Sequence, residues 1–330
     1  MARIRIFLAG ASGAIGRQLV PTLLARDHTV VGMTRSQERA AALERLGASA
    51  CVCDAYDRAE LIAAVSAARP ELVIHQLTAL PQDYPVRRRD LNRDTDRIRR
   101  EGTRNLIAAS RAAGCTRVIA QSVAFLYKPD GASEPRTETD PPYSDAPEPF
   151  AGTVAALLDL EAQVLSDREI SGAILRYGWL YGPGTWYAPS GYFGRLVKRR
   201  RYPIVGAGSG VWSFLHVKDA AYATVALVES GATGVFNVVD DEPAPMRDWL
   251  PAFAHAIDAP RPSHMPSWLA RLAAGKLAVQ MSTSMPGATN TKAKAEIGWR
   301  PTYSTWRDGF RADLHPAPAP ARTRDRSEPV

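Results

Sequence analysis

Three glycines near the start of the chain, at positions 10, 13 and 16, have the spacing of an anion-binding loop. They follow the apolar run Ile4 to Leu8, which is typical of a buried strand, and they precede a stretch with helical apolar spacing. Glycine lets the backbone turn tightly and approach a ligand, and free N–H groups at a helix start attract phosphate. This pattern predicts a pyrophosphate site rather than an ordinary glycine-rich turn. The residues expected to line it are Gly10, Ser12, Gly13, Ala14, Ile15 and Gly16.

The elements that would position this loop alternate between strand and helix through the first half of the chain. Further strands are predicted at 28–34, 50–53, 72–76, 117–120 and 172–177, and helices at 36–47, 57–68, 88–113 and 151–167. Such alternation builds an α/β fold with a parallel sheet covered on both faces. Beyond residue 181 the pattern becomes mixed, which indicates a smaller domain woven into the first. Its predicted elements are strands near 211–215 and 234–239 and helices at 218–230, 246–257 and 266–276.

Composition excludes several classes of protein. The 330 residues are 45% hydrophobic and 23% charged, as in ordinary globular proteins. No apolar run reaches the roughly 18 residues of a membrane span, so we expect a cytoplasmic protein without a membrane partner. The net charge is +7, but the arginines of 87–104 alternate with acids, which indicates a solvated helix face and no nucleic-acid partner. The three cysteines lack zinc-site spacing, so no metal is expected, and residues 314–330 are expected to be disordered.

Six segments in order resemble the extended short-chain dehydrogenase/reductase family, which includes nucleotide-sugar epimerases and dehydratases. They are GASGAIG at 10–16, VIHQLTA at 73–79, EGTRNLIAAS at 101–110, RVIAQSVAFLY at 117–127, LRYGWLYGPGT at 175–185 and FLHVKDAA at 214–221. The resemblance implies a Rossmann doubly wound parallel sheet over residues 1–180, completed near 214–240. It also implies an interwoven substrate-binding region over 181–213 and 241–313, and a homodimer that pairs through the helices at 88–113 and 151–167.

The end of the second predicted strand bears on the choice of cofactor. Rossmann proteins that prefer NAD usually carry Asp or Glu there to bind the ribose hydroxyl. This chain has Arg35 and Ser36 instead, which could donate hydrogen bonds to a 2′-phosphate. We therefore expect NADP rather than NAD, with an arginine that merely caps a surface turn as the alternative. By resemblance, Asp54 meets the adenine amino group, and Leu77 and Thr78 line the nicotinamide ribose.

The residues that normally move protons in this family are missing. The family carries Tyr-x-x-x-Lys on the helix after the long loop, and the tyrosine exchanges a proton with the substrate oxygen. Alignment on Glu161 places Leu157 at the lysine position and Thr153 at the tyrosine position. Neither side chain can perform that proton transfer, and no Tyr-x-x-x-Lys occurs elsewhere in the chain.

Two further family positions also differ. Counting back from Tyr127 places Val123 at the family's serine or threonine, with Ser122 one residue earlier, and Arg99 replaces an asparagine. Hydroxyls that could still supply a proton, each with an alternative structural interpretation, are Ser122, Tyr127, Tyr181 and Tyr187. His75, inside a predicted strand, is interpreted as a core residue.

Aromatic residues dominate the predicted substrate region. Trp212 stands near the place where nucleotide-sugar enzymes of the family hold a diphosphate with arginine. The aromatic residues expected to bind substrate are Trp179, Trp186, Tyr187, Tyr192 and Trp212. Such walls favour a flat apolar or aromatic molecule, although packing of the small domain is the alternative for part of this set.

These observations favour an atypical NADP(H)-dependent oxidoreductase that acts on a small hydrophobic or aromatic carbonyl compound with a non-standard proton donor. A second hypothesis keeps the fold but not the redox step, so that the site catalyses a cyclisation, dehydration or isomerisation around a structural cofactor. A third is a non-enzymatic sensor that distinguishes oxidised from reduced NADP.

Overall fold

A computed structural model describes residues 3–81, 92–129 and 134–314. Three parts of the sequence predictions lie outside these residues: the first turn of the arginine-rich helix, positions 130–133 of the proline-rich loop, and the tail from residue 315. Leu314, where disorder was expected to begin, is instead buried at the end of a wide helical turn, Phe310–Leu314.

The described strands and helices follow the predicted alternation closely. The strands are β1 (Arg5–Ala9), β2 (Thr29–Thr34), β3 (Ser49–Val52), β4 (Leu72–His75), β5 (Arg117–Val123), β6 (Ser171–Tyr177), β7 (Trp179–Tyr181), β8 (Ile204–Val205), β9 (Val211–Trp212), β10 (Phe214–His216), β11 (Gly234–Val238), β12 (Ala244–Pro245) and β13 (His264–Met265). The helices are α1 (Ala14–Leu24), α2 (Gln37–Arg45), α3 (Arg58–Ala68), α4 (Arg93–Arg97), α5 (Thr103–Ala112), α6 (Phe150–Leu165), α7 (Tyr192–Lys198), α8 (Val217–Ser230), α9 (Met246–Ala256), α10 (Ser267–Thr283), α11 (Thr291–Glu296) and α12 (Trp306–Gly309). A wide turn, Ile98–Gly102, joins α4 to α5.

Seven parallel strands form the central sheet in the order β11-β6-β5-β4-β1-β2-β3. This order confirms the predicted Rossmann fold. Because every strand runs the same way, all the carboxyl ends share one edge, and the order reverses between β1 and β4. Open α/β sheets bind ligands at such a reversal.

Helices cover both faces of the sheet, as its apolar strands require. Leucines of α1 and alanines of α8 pack on one face, while α3, α5 and α6 pack on the other. The strand β11 returns from the C-terminal half of the chain to pair with β6. A separate aromatic core, built around Tyr187 and Trp249, includes residues of β7, β8, β9, β10 and β12.

We predict that Gly172→Ala will destabilise the fold, because a β-carbon there would meet the carbonyl oxygen of Val164 at the end of α6. Overpacking against backbone cannot be relieved by a rotamer change, so the free energy of unfolding should fall by about 2–3 kcal/mol. Urea denaturation measures this change.

Gly152→Ala is the matched control, since the nearest atom to its new β-carbon is Glu148 Oε2 at 3.9 Å. It should leave stability unchanged or raise it by less than about 1 kcal/mol. Equal effects of the two substitutions would contradict the packing described for β6 against α6.

Candidate functional site

The glycine loop follows β1 at the reversal of strand order. Gly10 has a φ of +93°, and a β-carbon there would lie 2.6 Å from the carbonyl oxygen of Gln76, just after β4. At Gly16 a β-carbon would run into the carbonyl oxygens of Gly10 and Ala11. Gly13 is the N-cap of α1 and provides no side-chain cap. The loop therefore presses against two backbone segments and leaves the first N–H groups of α1 for a ligand.

The end of β2 lies beside this loop. Ser12 Oγ is 3.4 Å from Thr34 Oγ1, and Arg35, the next residue, is exposed. Ser36 caps α2 by accepting a hydrogen bond from the backbone N–H of Arg39. In the predicted contact with a phosphate, Ser36 must therefore donate its hydroxyl proton. The exposed Arg17, which the sequence analysis missed, donates from Nε to the Ser12 carbonyl oxygen at 3.0 Å. The sequence could have pointed to Arg17 because this residue directly follows the third glycine of the loop.

The other predicted cofactor residues also lie after strands at the carboxyl edge. Asp54 is exposed after β3, where its carboxylate accepts a hydrogen bond from the Tyr56 backbone N–H at 3.0 Å. Leu77 is half-buried and Thr78 exposed after β4. Gln121 of β5 donates from Nε2 to the Leu77 carbonyl oxygen at 3.1 Å, so this side chain fixes the segment.

The positions of the missing proton relay are occupied by a polar network that has no counterpart in the sequence predictions. Thr153 is buried in α6, donates from Oγ1 to Asp96 Oδ2 at 3.1 Å, and accepts from Asn92 Nδ2 at 3.0 Å. Arg99 pairs with the other oxygen of Asp96 at 3.0 Å. The side chains of Arg99 and Asp96 are only 11% and 13% exposed, so the prediction of a wholly solvated arginine face is wrong here. Burial lowers the pKa of Arg99, and Leu157 at the lysine position is packed in the core.

Ser122 and Tyr127 belong to a second buried network. Ser122 Oγ donates to Glu161 Oε1 at 2.6 Å, and Arg176 donates to both oxygens of Glu161 at 2.9 and 2.6 Å. Arg176 also donates to the Tyr127 hydroxyl at 2.9 Å, which itself donates to Asn237 Oδ1 at 2.7 Å. Burial raises the pKa of Tyr127 to about 12. This arrangement holds α6, β6 and β11 together and does not support either hydroxyl as a proton donor.

The alternation of side chains along β5 separates Ser122 from Val123, the residue at the family's serine position. Successive residues of a strand point to opposite faces. Ser122 faces α6, whereas Gln121 and Val123 are half-buried on the opposite side. Ser122 therefore does not replace the family's serine on the face where Val123 lies.

The aromatic residues divide into two groups. Trp179 stacks between Phe125 and Trp212, with ring centroids at 3.9 and 4.3 Å, and it is half-buried. Trp186 is also half-buried and donates from Nε1 to the Pro81 carbonyl oxygen at 3.0 Å, which ties the substrate region to the segment after β4. Tyr187 is only 1% exposed.

Tyr187, together with Trp212, belongs to the aromatic core. Its hydroxyl lies 3.3 Å from that of Tyr202, and rings such as Trp249 and Phe253 surround it. Tyr187 is therefore a packing residue in this structure. Of the five aromatic residues expected to bind substrate, Trp179, Trp186 and Tyr192 remain partly exposed.

Several other groups are accounted for structurally. His75 contacts Thr103 Oγ1 at 3.0 Å through Nε2 and accepts the Leu77 backbone N–H at Nδ1, and burial lowers its pKa to about 4. Burial raises the pKa of Cys53 to about 12, so that thiol is unreactive.

Among the described residues, no three His, Cys, Asp or Glu side chains converge on a metal position. None of the helices described is both long and apolar enough to cross a membrane.

We predict that Tyr127→Phe will be costly and Tyr187→Phe will not. The first change leaves the buried Asn237 Oδ1 without its donor and removes one hydrogen bond of Arg176, which should lower the free energy of unfolding by about 1–3 kcal/mol. Among the described residues, the hydroxyl lost in the second change makes a long contact of 3.3 Å to Tyr202, so this change should cost less than about 1 kcal/mol. Thermal or urea unfolding tests both, and a loss of stability confined to Tyr187→Phe would contradict the assignment.

Comparison with known proteins agrees with this geometry. The model of the NAD dependent epimerase/dehydratase family matches residues 6–238. A 3-diazoavenalumate denitrifying reductase from Streptomyces sp is 46% identical over 93% of this chain and 99% of its own length. The 4-hydroxy-2-methyl-3-oxo-4-farnesyl-3,4-dihydroquinoline-1-oxide ketoreductase from Stigmatella aurantiaca is 26% identical over 75% of this chain and 71% of its own length.

Among solved structures, the UDP-glucose 4-epimerase of Thermotoga maritima superposes with a TM-score of 0.73 at 21% identity, covering 94% of this chain and 97% of that one. The fold is therefore shared with sugar-nucleotide enzymes, while the relatives more similar in sequence include reductases and support an oxidoreductase. The chain belongs to the NAD dependent epimerase/dehydratase family.

Proposed function

We propose that the protein is an NADP(H)-dependent reductase that acts on a small aromatic electrophile and uses no proton donor of its own. The observation that carries this proposal is the contrast between two parts of one site. The glycine loop is intact and backed by close backbone packing, whereas the relay positions hold Thr153, Leu157 and Val123. Thr153 is already engaged with Asp96, and the other two side chains cannot donate a proton.

The residues present fit a phosphorylated dinucleotide. The close backbone contacts of Gly10 and Gly16 fix the turn before α1, and the free N–H groups at the start of this helix would hold the pyrophosphate. The exposed cations Arg17 and Arg35 stand on either side of the contact between Ser12 and Thr34, and no carboxylate ends β2. These arginines would bind the 2′-phosphate.

The substrate class that best fits a site without a relay is an aryl diazo compound. When bound, the dihydronicotinamide supplies a hydride that replaces the dinitrogen group, so that Ar–N2⁺ and H⁻ give Ar–H and N2. The carbon–nitrogen electron pair leaves with N2, and no proton is needed. The name of the Streptomyces relative, a denitrifying reductase of a diazo compound, supports this class.

The part of the chain that would meet the substrate is rich in aromatic side chains. Trp179 is half-buried, and Phe125 and Trp212 stack on its two faces, so its exposed edge is the part left to contact a planar ring. Val123 would keep the reacting carbon next to an apolar side chain rather than a hydroxyl, which limits competing attack by water held at a polar group.

A carbonyl compound is the second candidate, because the Stigmatella relative is a ketoreductase. Reduction of a ketone requires a proton on oxygen. Ser122 and Tyr127 are buried in their own network, so that proton would have to come from water.

We predict that NADPH carrying deuterium at the transferred position will label the product carbon that held the diazo group. Purified protein is mixed with benzenediazonium or acetophenone, and mass spectrometry follows product deuteration while the headspace is assayed for N2. We expect one N2 and one deuterium for each cofactor oxidised with the diazonium salt. Reactions without protein and with Gly10→Val, which disrupts the glycine loop, give the uncatalysed background. Turnover of acetophenone alone would favour the ketoreductase, and turnover without cofactor oxidation would favour a non-redox enzyme.

We predict that Arg35→Asp will weaken NADPH binding by about 10- to 100-fold, because one charge-assisted phosphate contact is lost and a repulsive carboxylate is gained. NADH binding should change by less than about threefold. Isothermal titration calorimetry measures both affinities. Arg39→Asp, an exposed change on α2, is the control and should leave the NADPH preference intact. Equal losses for both cofactors would show that Arg35 does not read the 2′-phosphate.

A further inference from the structure

The helix α10 is a hairpin rather than a rod. Gly275 breaks it with a φ of +86°. A straight helix of this length would span about 25 Å. Yet a β-carbon on Gly206 would touch Ser267 at one end of α10 and lie 3.3 Å from Thr283 at the other. The two arms therefore fold back on each other, with Gly275 at the tip.

The two arms have different surroundings. The returning arm packs against the substrate region, where the Met281 carbonyl oxygen accepts a hydrogen bond from Trp212 Nε1 and Gln280 donates to the Tyr143 hydroxyl. The outgoing arm carries large apolar side chains in water, since Trp268 is 67% exposed and Leu272 is 78% exposed. These two lie one helical turn apart on the same face. An exposed tryptophan and leucine in one turn indicate a surface that meets an apolar partner.

The segments around this hairpin have an unusual charge distribution. No acidic residue occurs from 182 to 218 or from 259 to 295, although the chain has 34 in all. β8 and β13 pair in parallel between these segments, so Arg201 and Arg261 each stand three residues before a paired position. The exposed cations of the two segments next to β8, β13 and α10 are Lys198, Arg199, Arg200, Arg201, Arg261, Arg271 and Lys276. Among the described residues, no carboxylate forms an ion pair with any of these seven.

We propose that this hairpin and the cations beside it form a docking surface for an anionic lipid bilayer. Helices that lie in a membrane interface combine Trp and Leu on one face with Lys and Arg around them. Each basic residue near an anionic leaflet adds to the attraction, and added salt screens it. Trp268 and Leu272 would enter the headgroup region, while Arg271 and Lys276 stay at its surface. The proposal replaces the sequence expectation of no membrane partner, which rested on the length of apolar runs and so addressed only spanning segments.

The test is co-sedimentation of the full-length protein with vesicles of phosphatidylcholine, with or without about one-third phosphatidylglycerol. We expect binding to the anionic vesicles only, weakened by added salt. The double variant Trp268→Ser, Leu272→Ser should bind at least about fivefold less, as should Lys198→Gln, Arg199→Gln, Arg201→Gln. The control Tyr222→Ser removes an exposed aromatic side chain from α8 and should bind like the unmodified protein.

Three results would overturn this proposal. The first is the absence of binding to anionic vesicles, and the second is equal binding by the Trp268 and Leu272 double variant. The third is a dimer detected by light scattering in the absence of vesicles that this double variant converts to monomer, because the apolar face would then cover a second copy of the chain. Circular dichroism of each variant confirms that these exposed substitutions leave the fold intact.

Discussion

The contact of Gly10 with the backbone after β4 is the constraint from which the rest of the site follows. It joins the two central strands, β1 and β4, at the point where strand order reverses. A second contact, between Gly16 and the carbonyls of Gly10 and Ala11, fixes where α1 begins. With both in place, the first N–H groups of α1 point along the carboxyl edge, where the residues after β2, β3 and β4 also lie. No side chain larger than hydrogen could occupy either position without moving a strand or a helix.

Behind this edge, the buried polar side chains near the relay positions are hydrogen-bonded within structural networks. Glu161 is held by Arg176 and Ser122, and Asp96 is held by Arg99 and Thr153. Both networks therefore stiffen α6 against the sheet. Rigidity there suits a reaction whose demand on the protein is to hold two flat molecules face to face.

Features of the structure that depend on residues close together in the chain could be predicted from the sequence. Glycine spacing and alternating apolar segments predict the loop and the parallel sheet, because each depends on neighbours in the chain. Features that depend on distant residues were missed. Arg99 and Arg97 look alike in an alternating charge pattern, yet only Arg99 is buried, paired with Asp96, which also accepts a hydrogen bond from the distant Thr153. Tyr187 could not be separated from substrate-binding rings before its neighbours Trp249 and Phe253 were known. The returning arm of α10 was also missed, since the helix predicted from the sequence ended at residue 276, next to the break at Gly275.

The central claim is that the site holds the reductant and an aromatic substrate together without a titrating donor. The pH dependence of the hydride-transfer rate in a single turnover tests this most directly, with enzyme saturated by NADPH before a diazonium salt is added. We expect a constant rate from about pH 5 to 8, since no group of the protein changes protonation in the step. A rate that rises or falls tenfold for each pH unit over part of that range would reveal a general acid or base in the site and contradict it.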